Sequence, residues 1–176
     1  RHADIGVALG SGTEVAKEAS DLVLLKNDIS VIVAAIEEGR RIVDNLKKIV
    51  TYLLSSSFIE ISVVIGALIA GLPLPLLPAQ ILWANIVGEG FMNFAFVFEP
   101  KEADLLNRSP RKSRDILSRE VLTLTIVAAI VTSALLFSFF YLLTLQGLPV
   151  EKIQTLVFAA LSTGGIFFAL ALRNFR

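Results

Sequence analysis

The sequence predicts a mainly α fold: four transmembrane helices, preceded by a long stalk helix and a short α/β piece. Three observations carry that prediction. First, 55% of the 176 residues are hydrophobic and the mean hydropathy is +0.73, more apolar surface than a water-soluble domain of this size needs. Second, four apolar stretches reach about 20 residues or more, the length at which a helix crosses a hydrocarbon core. Third, the basic residues sort by side of those stretches, as the positive-inside rule requires.

Taken in order, residues 1–27 contain IGVALG and DLVLL, two strand-like runs, separated by SGTEVAKEAS, a turn leading into a helix. That strand–helix–strand rhythm belongs to an α/β domain, and the segment is too short to form one alone, so the chain reads as entered in mid-domain. RHADIGVALG is too short and too mixed for a signal peptide. Asn27 or Asp28 can cap the next helix, the stalk over 28–48. Between Ile42 and Ala70 the only breaker is Gly66, which predicts one long helix running from stalk into bilayer.

The spans are 49–70, 78–98, 121–145 and 153–172. The first contains one charge, Glu60, the second one charge, Glu89, and the last two none. Arg40, Arg41, Lys47 and Lys48 precede the first span. The 99–120 loop carries Lys101, Arg108, Arg111, Lys112, Arg114 and Arg119, and Arg173 and Arg176 follow the last span. GLPLPLLPAQ has no charge, and LQGLPVEK has one of each sign. Both ends and the 99–120 loop are therefore expected in the cytoplasm of a multi-pass integral membrane protein, with the lipid bilayer as its surroundings. Zero net charge gives no argument for nucleic acid, and the absence of cysteine excludes disulfides and cysteine-based zinc sites.

Glu60 and Glu89 stand out because an ionised carboxylate in hydrocarbon is costly unless paired, hydrated or metal-bound. Ser57 lies about one turn before Glu60, and a protonated Glu60 bonded to a neighbouring helix is the structural alternative. Asn85 and Glu89, four apart, place an amide oxygen and a carboxylate on one helix face. Gly88 and Gly90 bracket Glu89, and local unwinding there would free backbone carbonyls as ligands; helix packing through small residues would account for the glycines but leaves the carboxylate unexplained. Oxygen-only ligands suit a hard cation such as calcium, magnesium or sodium. ALGSGTEVAKEA invites a phosphate-loop reading, but its glycine spacing fits neither standard fingerprint, and a plain strand-to-helix turn accounts for it. His2 has no evident partner, and Trp83 fits an interfacial or packing role.

These segments, in this order, resemble a P-type cation-transporting ATPase of the calcium-pump-like branch. ADIGVALGSGTEVAKEASDLVL resembles the end of the HAD-like phosphorylation domain, and VAAIEEGRRIVDNLKKIVTYLLSSSFIE the stalk and fifth transmembrane helix. GLPLPLLPAQILWANIV resembles the luminal turn and sixth helix, and LLNRSPR the cytoplasmic loop beyond it. The pieces cover roughly the first 110 residues, and the later spans resemble the seventh and eighth helices only in length and placement. The resemblance implies that Glu60, Asn85 and Glu89 bind the transported cation, with Ser57 and backbone near Gly88 as further candidates. It implies ATP and magnesium as cofactors of the full-length protein, the remaining pump domains and helices as partners, and a cell-membrane location.

Departures from the family pattern narrow the expectation. Calcium pumps with two sites have an asparagine where Ser57 stands, a threonine where Gly88 stands, and an eighth-helix glutamate near Gly165; Glu89 stands where aspartate is common. Two carboxylates balance one divalent cation, so a single calcium-like site is expected, with a proton, sodium or another cation left open. The DKTGT, TGES and TGDGVNDAP segments are absent from the sequence, so this piece alone is not expected to hydrolyse ATP. A passive channel or carrier built from the bundle is the competing class. Because buried carboxylates without a cation favour the proton-bound form, cation release is expected to be accompanied by proton uptake.

Overall fold

The computed structural model describes residues 4–26, 28–101, 104–107 and 116–173. His2, Asn27, Arg108, Arg111, Lys112, Arg114 and Arg176, which entered the sequence argument, lie outside the described residues. The chain divides into two compact units, 1–41 with 101–109, and 42–100 with 110–176.

In the first unit, β1 (Val7–Leu9) and β2 (Leu22–Leu24) pair in parallel, with Val7 opposite Leu22 and Leu9 opposite Leu24. Between them α1 (Glu14–Glu18) is capped by Thr13, whose Oγ1 accepts from the Ala16 N–H at 3.3 Å. The glycines of ALGSG serve this turn. A Cβ on Gly10 would lie 2.7 Å from the Leu24 carbonyl oxygen, so only glycine fits there without displacing backbone. The first unit also holds the start of α2 (Ser30–Ile69) and a 3₁₀ turn, Leu105–Asn107. Asp28 accepts from the Ser30 N–H at 2.9 Å and so satisfies one of the orphan donors at the α2 N-terminus. Lys101 pairs with Glu37 at 3.0 Å, and the Arg40 guanidinium donates to the carbonyl of buried Leu105.

The second unit is helical. It contains the remainder of α2, then α3 (Pro78–Trp83), a π-helical segment (Ala84–Glu89) and α4 (Gly90–Val97), followed by α5 (Arg119–Leu145) and α6 (Val150–Arg173). α2 ends in a Schellman turn: Gly71 takes a φ of 66°, its N–H bonds the Leu68 carbonyl, and the Leu72 N–H bonds that of Ala67. α3 starts on Pro78, whose missing N–H costs nothing in a first turn, while Gln80 Oε1 accepts from the Leu77 N–H at 2.9 Å. Ser118 caps α5.

Ile59, Val63, Leu76, Phe140 and Val157 form the largest apolar cluster, which draws α2, α5, α6 and the 71–77 loop together. Gly66 lets α5 close on α2, since a Cβ there would stand 3.0 Å from the Phe137 ring. Buried Gln154 donates to the Leu74 carbonyl at 3.0 Å and fixes that loop against α6. Outward-facing Phe91, Ile130, Leu135 and Phe167 are more than half exposed, the inverse of a water-soluble core.

Among the described residues, three helices are long and apolar enough to cross a membrane: Ser30–Ile69, Val121–Leu145 and Val150–Arg173. The fourth expected span, 78–98, is helical over Pro78–Val97 but divided by the π segment. The interruption falls beside the expected glycines, yet it takes the form of a widened helical turn and not an unwound gap. Glycine weakens the α-helical register without forcing the chain to leave helical space.

Candidate functional site

Charged groups on apolar helices have to find partners, and the second unit provides them. Glu60, from the middle of α2, is 7% exposed, as is Glu89 at the end of the π segment. The Asn85 amide crosses between these elements: Nδ2 donates to Glu60 Oε2 at 3.1 Å and to the Ile81 carbonyl at 2.9 Å. Both amide hydrogens are thereby used, which leaves Asn85 Oδ1 as its ligand atom. Glu89 is held differently. Ser56 is the polar neighbour of its carboxylate, and Oε1 is buried without a hydrogen-bond partner among the described residues.

Glu60 and Glu89 line one cavity of about 270 Å³, walled by α2, α3, the π segment, α4, α5 and α6. Gly88 lines it too, while Asn85 is not in the lining and reaches the site through Glu60. Ser57 is exposed and does not line it; Ser56 does. The two serines flank the Glu60 direction, Ser56 about 40° to one side and Ser57 about 60° to the other, and packing turns the Ser56 side of α2 to the cavity.

Tyr52 was missed as a site residue. It is 4% exposed, stacks on Phe168 with ring centroids 5.9 Å apart, and meets Phe96 edge-on at 5.8 Å. Its hydroxyl reaches α6, where a Cβ on Gly165 would stand 3.1 Å away. A tyrosine in an apolar helix carries no sequence signal of this, because the glycine that admits it lies on another helix. Trp83 packs edge-on against Phe158 at 5.5 Å and walls the same cavity.

Two carboxylates, an amide oxygen and serine hydroxyls are hard oxygen donors, and a cavity of this size accommodates a single metal ion with part of its coordination shell. Among the described residues no group of three or more His, Cys, Asp or Glu forms, so further ligands would have to be neutral oxygens. Such a constellation suits cation binding and contains no nucleophile with an activating base.

Residues 73–176 match the family described as "Cation transporting ATPase, C-terminus". The chain belongs to the P-type cation-transporting ATPases. The match includes the two later spans, where the motif resemblance was weakest. Among curated relatives, the "Calcium-transporting ATPase" of Bacillus subtilis (strain 168) is 46% identical over 116 residues, which is 65% of this chain and 13% of that protein. The "Probable cation-transporting ATPase F" of Mycobacterium bovis and of Mycobacterium tuberculosis is 47% identical over 112 residues, 63% of this chain and 12% of each. This ATPase-family chain thus spans about an eighth of the length of those relatives.

Proposed function

We propose that the chain supplies part of the ion pathway of an ATP-driven cation pump, with Glu60, Asn85 and Glu89 taking one calcium ion. The observation that carries this reading is the Asn85 bond to Glu60 across helices, beside a cavity that Glu60 and Glu89 both line. Two carboxylates neutralise one divalent charge, and among the described residues no basic side chain lines the cavity. Ser57, on the exposed side of α2, would contribute only through helices outside this chain.

In this reading residues 1–27 are the end of a HAD-like phosphorylation domain, and ATP and magnesium act in parts of the full-length protein beyond this chain. The interrupted helix over 78–98 serves as a fourth span, its π segment buried in protein, where irregular backbone is tolerated. Both ends of the chain face the cytoplasm of a cell membrane. The test is ion-stimulated phosphorylation by ATP in the full-length protein: Glu60→Gln or Glu89→Gln should abolish it. Wild-type ion dependence in both variants would refute the assignment, and ion flux through liposomes without ATP would favour a passive channel.

A further inference from the structure

A basic side chain at the end of a membrane helix lies at headgroup depth, where its partner is a carboxylate of the protein or a phosphate of the lipid. Arg173, the last residue of α6, has little of the first. Its Nε lies 3.8 Å from Glu99 Oε1, too far for a hydrogen bond, while Lys48 holds the other oxygen of Glu99 at 3.1 Å. Nor is the Arg173 side chain needed to cap the helix ends that meet there. Asn45 Nδ2 lies 3.5 and 3.4 Å from the Val97 and Glu99 carbonyls, and Lys48 Nζ donates to the Arg173 carbonyl at 3.3 Å. The Arg173 side chain is 63% exposed, and its terminal nitrogens have no partner among the described residues. Lys48, Glu99 and Arg173 together carry one net positive charge, the complement of one phosphodiester.

A groove leads away from this charge. It encloses about 300 Å³ between α4 and α6, walled by Met92, Ala95 and Phe98 on one side and by Ile166, Ala169 and Leu170 on the other. Glu99 and Arg173 stand at its end, and Ile166 lies about two helical turns deeper. Among the described residues lining it, only those two are charged. Phe98 is 78% exposed and Leu170 52%, so the groove opens outwards from the bundle.

Apolar walls of this length take a hydrocarbon chain, and a free guanidinium fork at their polar end takes a phosphate through two parallel hydrogen bonds. A soluble anion would leave the walls bare, and an apolar helix would leave Arg173 without its counter-charge. A zwitterionic lipid brings its own ammonium and so neutralises none of the surplus. We infer that the groove between the ends of α4 and α6 is a binding site for an anionic phospholipid, its phosphate on Arg173 and an acyl chain against Ala95 and Leu170. None of Glu60, Asn85 and Glu89 lines it, so the site stands or falls apart from the cation assignment.

The experiment places the full-length pump in phosphatidylcholine vesicles containing a phosphatidylglycerol with a photoreactive acyl chain, and maps the labelled peptides after illumination. Label should fall within 92–98 and 166–170. Unlabelled phosphatidylglycerol should compete about tenfold better than added phosphatidylcholine, the worth of one hydrogen bond between charged groups. Arg173→Gln should abolish that preference, and Arg173→Lys should keep part of it. Ala95→Trp fills the groove while leaving the charge, and should lower the labelling of both segments. Equal competition by the two lipids, or a preference that survives Arg173→Gln, overturns the inference. Absence of label from both segments also overturns it, since another part of the pump would then cover the groove. Competition by glycerol phosphate as strong as that by phosphatidylglycerol would mean an anion site without a lipid, and overturns it too. Should Arg173→Gln fail to fold, Ala95→Trp decides, and undiminished labelling in that variant overturns the inference.

Discussion

Asn85 Nδ2 bonds Glu60 Oε2 at 3.1 Å while also bonding the Ile81 carbonyl of its own helix. The second bond fixes the amide, so that the first holds the Glu60 carboxylate in place before any cation arrives. Asn85→Leu removes both the donor and the candidate ligand oxygen. Apparent cation affinity should fall by about tenfold to a hundredfold, the range for a hydrogen bond to a charged group, as read from the cation dependence of phosphorylation. Unaltered affinity would mean that the Asn85–Glu60 contact only packs the helices.

Lys48 and Glu99 form the most enclosed ion pair among the described residues of the second unit, 3.1 Å apart with side chains 12% and 11% exposed. Lys48 also donates to the Arg173 carbonyl at 3.3 Å, so α2, the end of α4 and the end of α6 meet at one point. Removing one partner leaves a part-buried charge short of its nearest counter-ion, although Glu99 keeps Arg173 Nε at 3.8 Å. Glu99→Leu and Lys48→Met should each lower the thermal inactivation midpoint of the detergent-solubilised pump, and the double variant should recover part of the loss. Strictly additive losses would contradict the pairing.

Gly165 and Tyr52 should behave as a coupled pair. Gly165→Ala puts a methyl 3.1 Å from the Tyr52 hydroxyl, tighter than most real Cβ contacts, and should perturb the carboxylate cavity that Tyr52 lines. Tyr52→Phe removes the opposing atom. Cation dependence should worsen in Gly165→Ala and recover in Gly165→Ala/Tyr52→Phe. An effect of Gly165→Ala that Tyr52→Phe does not relieve would place the strain elsewhere.

The cap on α2 makes a prediction about pH. Hydrogen bonds from the Ser30 side chain and then from its backbone N–H hold the Asp28 carboxyl below its ordinary value of 3.8. A carboxylate with a depressed folded pKa contributes stability that is complete above its unfolded pKa and is lost as pH falls through the folded one. The start of α2 should therefore loosen only in acid, below about pH 4. Hydrogen exchange at Ser30 and Val31 checks this, and Asp28→Ala should show the loosened behaviour already at neutral pH. Equal exchange in both proteins at neutral pH would rule out the cap.

Glu60 and Glu89 were legible in the sequence because a carboxylate in an apolar run is costly wherever the helix sits. The end of α2 near Ala70 and the start of α3 at Pro78 were legible from the limits of the apolar runs. The π segment was not, since hydropathy is indifferent to how tightly a helix is wound. Ser56 and Ser57 could not be separated from sequence alone, because both lie within reach of Glu60 and only the packed structure decides which one faces the cavity. Tyr52 and the Lys48–Glu99 pair were illegible for a common reason. Each derives its role from a residue on another helix, and no alignment of positions along the chain encodes that encounter.

The most direct test of the central claim is equilibrium binding of radiolabelled calcium to the purified full-length protein. A single ion per pump is predicted, with binding lost in both Glu60→Gln and Glu89→Gln. Retention of one tightly bound calcium in both variants, or no calcium binding by the wild type, would contradict it.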